Sequence, residues 1–103
     1  VKTKPFLQLD RVIHEKGRLP IVSLLAANAG LSFTELRNEL GMTDGNLAMH
    51  IKTLQEAGFV SVTKSYANQR PLTTCSLTAS GRKAFANYID LLEQIVRQAR
   101  EIE

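Results

Sequence analysis

Apolar residues recur along this chain at helical spacing, give way to strand spacing near the middle, and return to helical spacing at the end. Phe6, Leu9, Val12 and Ile13 are three or four residues apart, which predicts a first helix over about residues 5–15. Gly17 to Pro20 interrupts that pattern. Proline fits the first turn of a helix, so a second helix is expected from near Gly17 to Asn28. Ile21, Leu24 and Leu25 form its inward stripe and Ala29-Gly30 ends it. Ser32 followed by Glu35 has the form of a capping box. It opens a third helix whose apolar face is Phe33, Leu36 and Leu40, stopped by Gly41. Thr43 is a good cap for a fourth helix, with Asp44 where the N-terminal dipole favours an acid. Leu47, Ile51 and Leu54 point inward and Gly58 closes it.

Past Gly58 the period changes. Phe59 to Tyr66 and Leu72 to Leu77 are rich in β-branched and aromatic residues, as strands are. The polar stretch Ala67-Asn68-Gln69-Arg70-Pro71 between them reads as the loop of a hairpin. Thr78 then caps a long final helix. Along it Phe85, Leu92 and Ala99 repeat every seven residues, as do Tyr88, Ile95 and Ile102, with Ile89 and Val96 widening the seam. A helix that long cannot cover its whole stripe on a small body, so a partner helix is expected. The expected dimer interface is Phe6, Leu9 and Ile13 with Phe85, Tyr88, Leu92, Ile95 and Ala99.

Helix, helix, tight turn, helix, hairpin is the chain order of a winged helix-turn-helix. The reading is a mainly α fold with a small β-hairpin: a three-helix core, a wing and a long C-terminal dimerisation helix. Residues 1–103 make one domain, with the terminal helices (about 5–15 and 79–103) for dimerisation. The connection between helices three and four, Gly41-Met42-Thr43, is the short glycine-containing turn of the motif. A recognition helix keeps its apolar side in the core and turns small and polar residues to the major groove. With Leu47, Ile51 and Leu54 inside, Asp44, Gly45, Asn46, Ala48, Met49, Lys52 and Thr53 point outward. Small residues at 45 and 48 leave room for close approach. Asn46 suits adenine and Lys52 suits guanine or phosphate. The expected DNA-binding set is Thr43, Asn46, Met49, Lys52 and Thr53, with Lys64, Asn68, Gln69 and Arg70 from the wing. Pro71 holds Arg70 extended, as a narrow minor groove requires. The competing reading is that these side chains form an ordinary solvated face. Asp44 reads as a first-turn structural acid and His50 as packing at the edge of the core.

Composition narrows the functional classes. The net charge of +3 is mild, but no acidic residue lies between Glu56 and Asp90, where Lys64, Arg70, Arg82 and Lys83 fall. Such a basic segment fits an anion-facing surface. The single cysteine, Cys75, excludes an internal disulfide or a zinc finger on paired cysteines and reads as a small buried hydrophobe. No apolar run spans a bilayer and no signal-peptide pattern opens the chain, so a cytoplasmic location is expected. Nucleophile-base sets, glycine-rich phosphate loops and paired carboxylates are absent from the sequence. A non-enzyme without cofactor or membrane partner is expected.

The stretch FTELRNELGMTDGNLAMHIKTLQEAGFV, followed by the hairpin and then LTASGRKAF, resembles the compact one-domain ArsR/MarR-like winged-helix transcriptional regulators of bacteria and archaea. The resemblance runs from about Leu9 to Leu92. It implies a homodimer held by terminal helices, recognition helices in successive major grooves, and wings at flanking backbone or minor groove. Metal-sensing members carry a cysteine pair on the third helix. Thr34 to Asn38 here hold neither thiol nor imidazole, so no metal site is expected and no small-molecule effector site is legible. The function expected is sequence-specific binding of double-stranded DNA in transcriptional regulation. The alternative is a winged helix serving as a protein-interaction module in a larger assembly.

Overall fold

The computed structural model describes residues 4–101. Its elements are α1 (Lys4–Gln8), α2 (Arg18–Ala27), β1 (Leu31–Ser32), α3 (Phe33–Leu40), α4 (Asp44–Glu56), β2 (Val60–Ala67), β3 (Arg70–Leu77) and α5 (Ala79–Glu101).

The first helix is shorter than its apolar spacing predicts. The Asp10 carboxylate accepts hydrogen bonds from the N–H groups of Val12 (2.8 Å) and Ile13 (3.1 Å), offering the backbone a local alternative to the helical ladder. Leu9 and Ile13 therefore enter the core from irregular backbone. Glu15 restarts the helical run: its carboxylate accepts from the Arg18 N–H at 2.8 Å and from the Gly17 N–H. The bond from Arg18 is the main reason its carboxyl sits below the ordinary glutamate value. The capping box at α3 forms as expected, Ser32 and Glu35 exchanging two side-chain-to-backbone bonds of 3.0 Å. These hold the Glu35 carboxyl low as well, the Ser32 N–H contributing most. Gly41 ends α3 in the left-handed conformation, φ 63°, which glycine adopts without strain.

The sheet has three strands where two are expected, in the order β1-β3-β2. The extra strand is Leu31–Ser32, antiparallel to Cys75 and Thr74, and two residues are too few for any periodicity to announce. The wing is also tighter than a five-residue loop. Ala67 pairs with Arg70 and Tyr66 with Pro71, leaving only Asn68 (φ 53°) and Gln69 (φ 64°) in the turn, as in a type I′ hairpin. Pro71 is accommodated inside β3 because β1 covers only Thr74 and Cys75. The outer side of β3 at Pro71 therefore has no strand neighbour, and no ladder donor is missing there.

Ile13, Ile21, Val22, Leu25, Leu36, Leu47, Leu54 and Tyr88 make up the fully covered core, with Cys75 among them. Desolvation raises the Cys75 thiol above its ordinary value, which suits an inert packing role. α5 is about 34 Å long at the usual rise per residue, and Thr78 anchors its start. The Thr78 hydroxyl oxygen accepts from the Gly81 N–H (2.9 Å), and its O–H donates to the Gly58 carbonyl (2.6 Å). Here α5 rides directly over the Phe59 carbonyl. A Cβ on Gly81 would fall well inside contact distance of that backbone oxygen. Gly81→Ala is therefore expected to lower stability by ~1–3 kcal/mol despite alanine's better helix propensity, measured by urea unfolding.

Three residues expected at the dimer interface are instead enclosed by their own protomer. Leu9 and Ile13 lie in the core. Tyr88, 1% exposed, shares a 2.7 Å hydrogen bond between its hydroxyl and Nδ1 of His14, and burial raises its phenol above the usual value. The inward edge of α5 is Gly81, Tyr88 and Leu91, all buried; of these the seam read in the sequence holds only Tyr88. Phe85, Ile89, Leu92 and Ile95 are half-buried, Val96 is 46% exposed, and Ala99 is exposed. On α1, which packs on α5, Phe6 is 55% and Leu7 81% exposed. Ile102 lies outside the described residues.

Candidate nucleic-acid interface

The helix-turn-helix is built by α3, the turn Gly41-Met42-Thr43 and α4. The Thr43 side chain accepts from the Asn46 N–H at 3.2 Å, so the expected cap forms. The inner face of α4 buries Leu47, His50, Ile51 and Leu54. His50 is one of this inner set. Its ring packs so closely over Gly17 that no Cβ fits there. Arg18, which can only donate, reaches its Nδ1 at 3.4 Å. The His50 ring thus joins the inner side of α4 to the start of α2 and does not belong to the outer surface.

The outer face of α4 is exposed at Asp44, Gly45, Asn46, Ala48, Met49 and Lys52. No protein atom lies within 4 Å of where a Gly45 side chain would begin. With Ala48, that leaves a shallow strip of bare helix between the Asn46, Met49 and Lys52 side chains. Thr53 stands apart from the other candidates. It is half-buried, and its hydroxyl donates to the Met49 carbonyl at 3.1 Å.

Arg37 is a contributor that the sequence pattern did not single out. Its guanidinium meets the Asp44 carboxylate at 2.9 Å, bridging α3 and α4 across the turn. Asp44 puts a negative charge at the exposed front of α4. Here a cation offsets it while it still caps the dipole. Opposite charges seven residues apart across a helix-turn-helix turn are the signal that could have revealed the pair. On the wing, Lys64, Asn68, Gln69 and Arg70 are all exposed. The structure sets them on the hairpin that directly follows α4. Among the described residues no group of three His, Cys, Asp or Glu is placed to hold a metal ion, and no helix is long and apolar enough to cross a membrane.

Residues 18–96 match the family model described as a winged helix DNA-binding domain. The chain belongs to that family. This winged-helix protein is 37% identical over 93 residues to the uncharacterized protein MJ0432 of Methanocaldococcus jannaschii, covering 90% of this chain and 98% of that one. Its fold is similar to the transcriptional regulator homologue of Pyrococcus horikoshii OT3, with a TM-score of 0.88 and 23% identity, over 93% of this chain and 97% of the other. It is also similar to an Enterococcus faecalis V583 protein described as a MarR-family transcriptional regulator. That TM-score is 0.79 at 19% identity, over 98% of this chain and 91% of the other. At such identities the structural likeness speaks for the fold alone. The mainly helical winged fold read from the sequence holds, and the resemblance to winged-helix proteins agrees with the family match.

Proposed function

We propose that this winged-helix protein is a homodimeric transcriptional regulator that binds duplex DNA sequence-specifically. In this reading α4 lies in the major groove and the wing lies on flanking backbone or minor groove. The observation that carries the reading is the outer face of α4: bare at Gly45, small at Ala48, flanked by Asn46 and Lys52. A helix that need only be solvated gains nothing from glycine at its second position, where alanine is better by up to ~1 kcal/mol. Close approach of backbone to a ligand explains it.

In the dimer, Asn46 reads a base edge, and Lys52, Lys64 and Arg70 meet phosphates, joined by Arg82 or Lys83. Symmetric readers place their half-sites about one helical turn apart, ~34 Å. Two subunits neutralise roughly six to eight phosphates, a log–log salt slope of about −5 to −7. Fluorescence anisotropy with random-sequence and selected duplexes across a salt series measures this. Asn46→Ala is expected to weaken selected sites by ~1–3 kcal/mol and leave random duplexes nearly unchanged. Arg70→Ala is expected to weaken both and to flatten the slope by about one unit for each phosphate no longer neutralised. Affinity indifferent to salt, or none at low salt, would favour a protein-interaction module instead.

A further inference from the structure

One large side chain on the wing is left unexplained by phosphate contacts. Tyr66 is 77% exposed. A lone exposed aromatic is ordinary on protein surfaces, but the setting of this one is specific in three respects. First, it stands next to the two-residue turn at a position directly opposite Pro71. In a hairpin closed by the Ala67–Arg70 pair, that is a non-hydrogen-bonded pair, where side chains come closest. The cross-strand neighbour of Tyr66 is thus a rigid, apolar residue. Second, strand alternation puts Tyr66 on the same side of β2 as Val60, Val62 and Lys64. Val60 is buried and Val62 half-buried, while Lys64 and Tyr66 are exposed. The side of the sheet that packs on the body thus continues past it as a cation and then an aromatic. Third, no acidic residue occurs between Glu56 and Asp90, so nothing on the hairpin repels a polyanion.

We infer that Tyr66 is the wing's apolar contact with DNA, its ring lying against the sugar edges of the minor groove while Lys64 and Arg70 hold the adjacent phosphates. This rests on the DNA-binding reading above and adds to it a component of affinity that does not depend on salt. A cationic contact releases counterions and steepens the salt slope; an aromatic one does not. Tyr66→Ala is therefore expected to weaken duplex binding about tenfold with an unchanged slope. Tyr66→Phe keeps most of the affinity, because the ring and not the hydroxyl makes the contact.

The chain supplies its own second readout. It has no tryptophan and two tyrosines, and the other, Tyr88, is buried. Nitration with tetranitromethane, mapped by mass spectrometry, then reports on Tyr66. The probe is a pool of random-sequence duplexes about three helical turns long. Tyr66 is expected to nitrate readily in the free protein and to be protected at saturating duplex. Duplex binding with Tyr66 nitrated as fast as in the free protein would overturn the inference and leave the DNA-binding function standing. So would a Tyr66→Ala variant that flattens the salt slope as removal of a cation does. Absence of any duplex binding by the wild type at low salt would overturn both.

Discussion

Phe6→Asp combined with Val96→Asp is expected to convert the protein from a dimer to a monomer and to cut its affinity for a two-half-site duplex by at least a hundredfold. Both side chains are largely exposed in the protomer, 55% and 46%, so the pair removes little from the subunit's own core. They belong to the stripe Phe85, Ile89, Leu92, Val96 and Ala99 on α5 and to the neighbouring face of α1. The α5 stripe repeats at alternating spacings of four and three, the periodicity of a helix that meets another helix. A carboxylate forced into such an interface without a partner costs several kcal/mol. The effect on DNA follows from linkage. Two tethered subunits gain on the order of 10²- to 10⁴-fold over separate ones, and that gain disappears when the tether does. Sedimentation equilibrium at tens of micromolar reads the oligomeric state, and circular dichroism checks that the double variant keeps its helices. A wild type that sediments as a monomer would sink the dimer.

Features fixed by a few adjacent residues were legible in the sequence. The Ser32–Glu35 box, the stop at Gly41 and the Thr43 cap each depend on a span of four residues or fewer, and each formed as read. Misreadings arose where a side chain or a distant strand decided the outcome. The spacing of Phe6, Leu9 and Ile13 fits a helix, but α1 ends at Gln8 and the Asp10 carboxylate takes the N–H groups of Val12 and Ile13 out of a helical ladder. Pro71 looks like a strand breaker until β1 is seen to cover only Thr74 and Cys75. On α5 the apolar band is broad enough to hold two seams side by side. Periodicity could not tell which one the protomer keeps for itself. Tyr88 and Leu91 face inward, and His14, from the irregular segment after α1, bonds the Tyr88 phenol. Of the interface candidates, α4 was the most legible, since its inner residues alone determine what points out. Arg37 escaped notice because its partner, Asp44, lies in another element.

Replacing Gly45 separates the fold from the DNA-binding function most sharply, because the two respond with opposite sign. Gly45 sits in α4 without a positive φ, and nothing in the protein lies within 4 Å of the Cβ it lacks. Gly45→Ala and Gly45→Gln are therefore both expected to stabilise the protein by ~0.5–1 kcal/mol, through helix propensity and a less free unfolded chain. If α4 enters the major groove on its Gly45–Ala48 strip, the same side chains stand between its backbone and the base edges. Alanine is expected to cost the complex severalfold. Glutamine, longer by a methylene and an amide, is expected to cost on the order of 10- to 100-fold, comparable to a mismatched base pair at ~1–3 kcal/mol. Non-specific affinity, which rests on phosphates, is expected to fall less. Thermal melting and anisotropy on the same preparations give both numbers. A Gly45→Gln variant that melts higher and still binds its selected site as tightly as the wild type would mean that this face of α4 does not enter the groove.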